Sequence, residues 1–160
     1  MNEIRLRQFQ PEDAPWVTAQ HGRLYMQNEG FDETFEPVVA GILNEFMLMH
    51  DPHTERGWIA HRGKARLGSV FCTREGAQTA RLRLFLVLPE ARRTGLGRRM
   101  VHTLLEFANT VGYKRVRLNT HESHVAACAL YRAMGWQLVE QIPVHNYGRD
   151  LVEQTWEFTF

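Results

Sequence analysis

Apolar and polar residues recur along this chain with periods that change from segment to segment, and each period names an element. In Ile4-Arg5-Leu6-Arg7-Gln8-Phe9, Ile4 and Leu6 share one face of an alternating strand. Gln10-Pro11-Glu12-Asp13 opens a helix, with proline near the first turn and two carboxylates at the positive end of the helix dipole. That helix is expected to run to about Gln27, ahead of the breaker Gly30. A second is predicted over 37–49, with Val38, Ile42, Leu43, Phe46 and Met49 at helical spacing. Strands follow. Residues 57–61 lead through the turn Arg62-Gly63-Lys64 into 65–73, a hairpin signal. After Arg74-Glu75-Gly76 comes 79–88, whose nearly unbroken apolar end Leu84-Phe85-Leu86-Val87-Leu88 suits a central strand covered on both faces. Pro89 ends it.

Met100, Leu104, Ala108 and Val111, flanked by Val101 and Leu105, then form one apolar stripe, closed by Gly112. Residues 114–119 read as a strand, 123–134 as a short helix closed by Gly135, and 136–142 as another strand. In 151–160, Val152, Trp156, Phe158 and Phe160 have one parity, so the last strand has one buried face. The order is β-α-α-β-β-β-α-β-α-β-β, an α/β mixed sheet over a single domain, 1–160.

Composition narrows the setting more than the chemistry. The chain has 160 residues, 44% hydrophobic and 23% charged, as in a globular protein. A net charge of +1 favours neither nucleic acid nor an anionic membrane as partner. Cys72 and Cys128 show no CxxC spacing and read as reduced thiols. The start, Met1-Asn2-Glu3-Ile4-Arg5, has no apolar signal region, and no run of about 18 apolar residues occurs, so a soluble, cytoplasmic protein is expected.

The sharpest chemical signal is Arg92-Arg93-Thr94-Gly95-Leu96-Gly97-Arg98, between a buried strand and an amphipathic helix. Two glycines without Cβ atoms let backbone N–H groups approach a bulky anion, and the helix start adds unpaired donors and a positive dipole end. Arg92, Arg93, Arg98 and Arg99 surround that turn. Cations there are unfavourable for an isolated helix by roughly some tenths of a kcal/mol each, which an anion would cancel. Neither GxxxxGK[ST] nor GxGxxG is present, since position 100 is Met.

The spacing Arg92-x-x-Gly95-x-Gly97 resembles the acyl-CoA diphosphate signature of the GNAT acetyltransferase superfamily. Val87-Leu88-Pro89 before it, and the segment from Ala127-Cys128-Ala129-Leu130-Tyr131 to Gly135-Trp136 after it, resemble that family's core strand and later helix. The order of elements over nearly the whole chain is similar too. Leu82-Arg83-Leu84, Gly112-Tyr113-Lys114 and the tail from His145 to Glu157 are similar to the acetyltransferase half of bacterial proteins that fuse a MarR-type DNA-binding domain to a GNAT domain. With no winged-helix segment ahead of Met1, a free-standing version is expected.

The resemblance implies acetyl-CoA as cofactor and a small-molecule amine as acceptor. It places the diphosphate on Arg92, Arg93, Thr94, Gly95, Leu96, Gly97 and Arg98, and the pantetheine arm along Phe85, Leu86 and Val87, where the Val87 N–H would polarise the acyl carbonyl. Asn119 and His124 become further cofactor contacts, His124 standing where many members have asparagine. Tyr131 matches the family's tyrosine and becomes the acid for the leaving thiolate. The base stays open: the position of the strand glutamate used by some members is Arg81, leaving Glu29, Glu33, Glu36, His145, Tyr147 or a water chain. Many members of that family pair, so the resemblance also implies a homodimer.

Other features point to no second chemistry. His50-x-x-His53 and His121-x-x-His124 have helix-compatible spacing but neither HExxH nor a cysteine at ligand spacing, so no metal is expected. Cys128 reads as a packing residue. The acidic stretch Glu29, Asp32, Glu33, Glu36 suits either a solvated loop or attraction of a cationic amine. Two alternatives remain beside the small-molecule enzyme: a non-catalytic acyl-CoA sensor, and a protein or peptide acetyltransferase.

Overall fold

The computed structural model describes residues 3–160; Met1 and Asn2, which open the segment read as lacking a signal, lie outside the described residues. Among the described residues, seven strands and four α-helices follow one another in the expected order: β1 (Arg5–Gln8), α1 (Ala14–Glu29), α2 (Phe35–Met49), β2 (Arg56–Arg62), β3 (Ala65–Arg74), β4 (Thr79–Val87), α3 (Leu96–Val111), β5 (Arg115–His121), α4 (Val125–Ala133), β6 (Gln137–Asn146) and β7 (Arg149–Thr159). Short 3-10 turns at Pro11–Asp13 and Pro89–Ala91 precede α1 and α3. The strands are hydrogen-bonded in the order β1-β2-β3-β4-β5-β7-β6. No helix among the described residues is long and apolar enough to cross a membrane.

The chain's contacts divide into two compact units: the residues up to Gln10 with His50–Val116 and Phe160, and Pro11–Met49 with Arg117–Thr159. In the first unit β1, β2, β3 and β4 form an antiparallel meander. The apolar stripe of α3 buries Met100, Val101, Leu104, Leu105 and Ala108, and Gly112 takes the left-handed C-cap (φ 107°) that releases the chain into β5. In the second unit β6 and β7 form a long antiparallel hairpin.

Four expectations need correction. Helix α1 starts at Ala14, because the proline-led turn is 3-10, and it continues to Glu29, where Gly30 caps it in the left-handed region. Helix α2 buries Val39, Leu43 and Phe46, while Val38 and Met49 are exposed; one extra residue of rotation moved the stripe. β4, by contrast, is central in the sheet as expected and has buried residues on both faces, since Leu82 pairs with Cys72 and Leu86 with Ser69, three apart on β3; Leu84, Phe85 and Val87 are half-buried. β6 extends to Asn146, four residues beyond the apolar pattern, because its pairing with β7 does not require burial. β7 ends at Thr159, so Phe160 lies past it and is exposed; Phe158 is half-buried, and the buried face instead includes Gln154 beside Trp156. Gln154 Oε1 accepts from Trp156 Nε1 (3.0 Å) and Cys128 Sγ (3.3 Å), and its Nε2 donates to Gln141 Oε1 (3.0 Å), so the polar group is satisfied inside.

His21 of α1 is also fully buried, its Nδ1 on Val17 O (2.8 Å). Burial pushes its pKa down to about 4, outweighing the carbonyl contact. The unfolded chain therefore binds one more proton than the folded one between about pH 6.5 and 4, so stability falls as pH drops through that window. A loss on the order of 3 kcal/mol is expected by pH 4 from this residue alone. His21→Gln should flatten that part of the stability profile, measured by urea unfolding at stepped pH.

Candidate active site

In the first unit the site begins with a break in β4. Ser69 pairs with Leu86 and Phe71 with Arg83, so two residues of β4 oppose one of β3, a β-bulge. Leu84 sits at its centre in the left-handed region (φ 50°), an uncommon conformation for a branched side chain. The Ser69 hydroxyl, fully buried, donates to Leu84 O at 2.7 Å and holds the bulge. Nothing in the sequence signals this. The bulge turns the strand where Phe85, Leu86 and Val87 follow, the stretch expected to line an acyl arm.

Beyond β4 the loop assembles as its composition implies. Arg92 Nε donates to Val87 O (3.3 Å), tying loop to strand. Arg93 takes a positive φ (62°), and Thr94 Oγ1 donates to Ala91 O (2.6 Å) while accepting from Leu96 N (3.3 Å). Gly95 precedes α3 at φ 81°, with nothing within 4 Å of where a Cβ would stand. Arg92, Arg93, Arg98 and Arg99 are exposed, although Arg99 Nη1 donates to Ile4 O (3.0 Å). An open left-handed glycine at a helix N-terminus, ringed by solvated guanidiniums, fits a bulky polyanion such as a diphosphate.

The second unit holds the other expected residues, in separate places. Tyr131 of α4 is buried against Trp136 and Trp156 (ring centroids 5.5 and 6.2 Å), and burial, then Tyr25, then Cys128, push its phenol well above the ordinary value. Cys128 is a buried packing residue, as read. Asn119 Nδ2 donates to Thr155 Oγ1 (3.0 Å). Glu36 lies on α2 against the backbone of Gly22 of α1, and Glu33 is exposed. His145 Nδ1 meets Asp150 Oδ1 at 2.8 Å, both exposed, in an open groove of about 560 Å³ lined by Ser123, Val144, Arg149 and Leu151.

Glu29 and His124 do meet. Glu29 ends α1, is 9% exposed, and its Oε1 stands 3.4 Å from His124 Nε2. Thr120 Oγ1 lies 3.0 Å from His124 Nδ1, and the ring stacks on Tyr25 at 4.9 Å and 3°. Burial lowers the His124 pKa more than Glu29 raises it, so the imidazole is neutral at pH 7. Nε2 and the Glu29 oxygen stand at ion-pair distance but make no hydrogen bond with each other.

Around this pair the structure gathers side chains that the sequence reading left apart. Tyr25, Phe31, Phe35 and Tyr147 pack edge to face or tilted at 4.7–5.5 Å, and His121 stands at right angles to Phe31 and His124, 5.6 Å from each. Tyr147 reaches them from the β6–β7 turn, where Tyr147 and Gly148 both have positive φ (56° and 78°). Such turns favour Asn-Gly, so a tyrosine here is strained; its ring contacts and the Asp32 N–H on its carbonyl (3.0 Å) hold it. Gly148 leaves no room for a Cβ, which would stand 2.8 Å from Asp32 Oδ2. The spacing Tyr25, Phe31, Phe35 offered a signal, but it belongs to two helices and the loop joining them, so no single period shows it.

Residues 8–136 match the model of the acetyltransferase (GNAT) family. Human N-acetyltransferase 8 is 35% identical over 96 residues, 55% of this chain and 42% of that protein. N-acetyltransferase family 8 member 3 from rat is 48% identical over 56 residues, 35% of this chain and 25% of that one. The matched stretch thus spans less than half the length of these curated relatives. Among solved structures, the GNAT-family acetyltransferase from Streptococcus pneumoniae has a TM-score of 0.76 at 17% identity, covering 99% of this chain and 100% of that one. A protein from Salmonella typhimurium described as an acetyltransferase, solved with its cofactor acetyl-CoA, has a TM-score of 0.77 at 15% identity, covering 99% and 94%. At these identities the likeness concerns the fold.

Proposed function

This chain belongs to the acetyltransferase (GNAT) family, and from that premise we propose that it moves an acetyl group from acetyl-CoA to the primary amine of a small molecule, by direct attack in a ternary complex. The observation that carries the reading is the loop before α3, where Gly95 is left-handed and open among exposed arginines. Bound acetyl-CoA supplies an acetyl group activated as a thioester, together with a diphosphate by which it is held. Arg92, Arg93 and Arg98, with the backbone of Thr94, Gly95, Leu96 and Gly97, hold that diphosphate. Phe85 and Val87, half-buried past the bulge at Leu84, and the backbone of buried Leu86 line the arm, and the Val87 N–H polarises the acyl carbonyl. Asn119 and His124 contribute further contacts, His124 by packing, since its two nitrogens face Thr120 and Glu29.

Tyr131 holds a proton for the leaving sulfur. Its raised pKa keeps the phenol fully protonated at working pH but makes it a weaker acid than an exposed tyrosine, so it acts more by hydrogen bonding than by early proton transfer. Tyr131→Phe is expected to lower kcat on the order of 10²-fold with unchanged acetyl-CoA affinity. An unchanged kcat removes the residue from the chemistry.

We read residues 1–160 as one acyltransferase domain because the family match runs through both compact units. A cytoplasmic location, suggested by two free thiols, a homodimer and the finer likeness to MarR-fused acetyltransferases belong to the same proposal. The test mixes protein, acetyl-CoA and an amine panel and follows free thiol. Amine-dependent thiol release supports the enzyme; acetyl-CoA binding without it favours the sensor.

A further inference from the structure

His121 is the one histidine of the aromatic cluster whose ring nitrogens have no protein partner. Both are buried, and neither makes a hydrogen bond. Beside it, His124 Nδ1 is met by Thr120 Oγ1, while His124 Nε2 and Glu29 Oε1 stand 3.4 Å apart without a hydrogen bond, and the Cys128 thiol reaches the His121 carbonyl at 3.8 Å. Buried polar groups are nearly always paired, so two orphaned nitrogens on one ring point to a ligand that brings its own polar group. The ring walls are apolar: Phe31 at 5.6 Å and Tyr147 at 6.4 Å, both near perpendicular. Tyr147 covers them from a left-handed turn position, and strain of this kind is kept where a ring must stand in one place.

We propose that His121 is the proton acceptor for the acceptor amine, and that this amine is carried on an aromatic body that packs among Tyr25, Phe31, Phe35 and Tyr147. The inference rests on the acetyltransferase reading and deepens it. The groups facing His121 are Glu29 from α1, Glu153 from β7, His124 at the start of α4, and Tyr147 from the β6–β7 turn. Burial lowers the His121 pKa more than Glu153 and Glu29 raise it, so a free lone pair is available at neutral pH. The carboxylates and ring faces attract the ammonium. His121 takes one proton from it and passes that proton to solvent. The freed nitrogen pair forms the N–C bond as the C–S bond breaks. The second nitrogen proton goes to His121, sulfur leaves with its electron pair and takes the Tyr131 proton, and the proton on His121 restores Tyr131 through solvent. The net yield is amide, thiol and one proton.

The test uses 2-phenylethylamine, with agmatine as a cation lacking an aromatic ring. In the free protein, the His121 imidazole followed by NMR should titrate below 6.5, and its resonances should shift on adding 2-phenylethylamine. Wild-type kcat should fall as pH drops through that same pKa and stay flat above it. His121→Gln should lower kcat on the order of 10²–10³-fold and erase the acidic limb, with acetyl-CoA affinity unchanged. Tyr147→Ala should raise KM for 2-phenylethylamine more than for agmatine. Turnover with the limb retained in His121→Gln overturns the base. Should that variant fail to fold, imidazole resonances unmoved by the amine overturn it instead. A preference for agmatine that Tyr147→Ala leaves alone overturns the aromatic acceptor. Acetyl-CoA binding with no turnover of any amine fails the acetyltransferase reading itself, and the inference with it.

Discussion

Replacing Gly95 by valine is expected to weaken acetyl-CoA binding on the order of 100-fold, about 2.7 kcal/mol, while leaving the fold in place. The two effects separate because of where the glycine stands. Nothing lies within 4 Å of a Cβ at this position, so the side chain meets no atom of the protein. The folding cost is confined to the left-handed backbone (φ 81°), roughly 1–2 kcal/mol for an L-residue. The same open space is where a diphosphate must come up to the amides that start α3, and two methyl groups there keep it away. Calorimetric titration with acetyl-CoA, alongside a thermal melt, reads both quantities. Undiminished binding would remove the loop from cofactor recognition.

Gly68→Ala is expected to damage stability and activity together. Gly68 pairs with Val87 across β3 and β4, and a Cβ would stand 2.5 Å from Leu86 O and 3.4 Å from the Met100 side chain. Met100 can yield; a carbonyl in a paired strand cannot. β4 must shift at Leu86 and Val87, at a cost of about 1–3 kcal/mol. For a chain of this size that corresponds to roughly 2–4 °C of Tm per kcal/mol. The displaced stretch is the one proposed to line the acyl arm and polarise the carbonyl, so kcat should fall on the order of 10²-fold from misplacement alone. Gly41→Ala is the control: with no neighbour within 4 Å and a helical position, it should stabilise by up to about 1 kcal/mol. A Gly68→Ala protein with normal Tm and kcat would show that β4 has slack its pairing does not suggest.

The order of elements was legible in the sequence because strands and helices each carry a local period, and turn glycines such as Gly63 and Gly112 mark where it changes. The loop proposed to hold the diphosphate was legible for a related reason. Its parts lie within seven consecutive residues, Arg92 to Arg98, and its chemistry is mostly backbone, which glycine spacing reports directly. The second helix shows the limit of that reading. Ile42, Leu43 and Phe46 suggested a stripe, but whether Val38 or Val39 completes it depends on a rotation of about 100° per residue that only packing against α1 decides.

The grouping of side chains proposed to handle the amine was not legible, although Glu29 and Tyr147 stood singly among the candidate bases and His124 among the cofactor contacts. Tyr25, Phe31, His121, His124 and Tyr147 come from a helix, a loop, a strand end, a helix start and a hairpin turn, more than 120 residues apart at the extremes. No sequence period links them, and His121-x-x-His124 read as a spacing accident until Glu29 and the rings stood beside it. The bulge at Leu84 is likewise silent, because Ser69, which holds it, lies on the neighbouring strand. Sequence alone therefore determined the elements and the conformation-setting glycines of the loop proposed to bind the diphosphate, whose physics is local. Tertiary structure decided which polar atoms are buried without partners, because burial is a property of the assembled chain and of no segment of it.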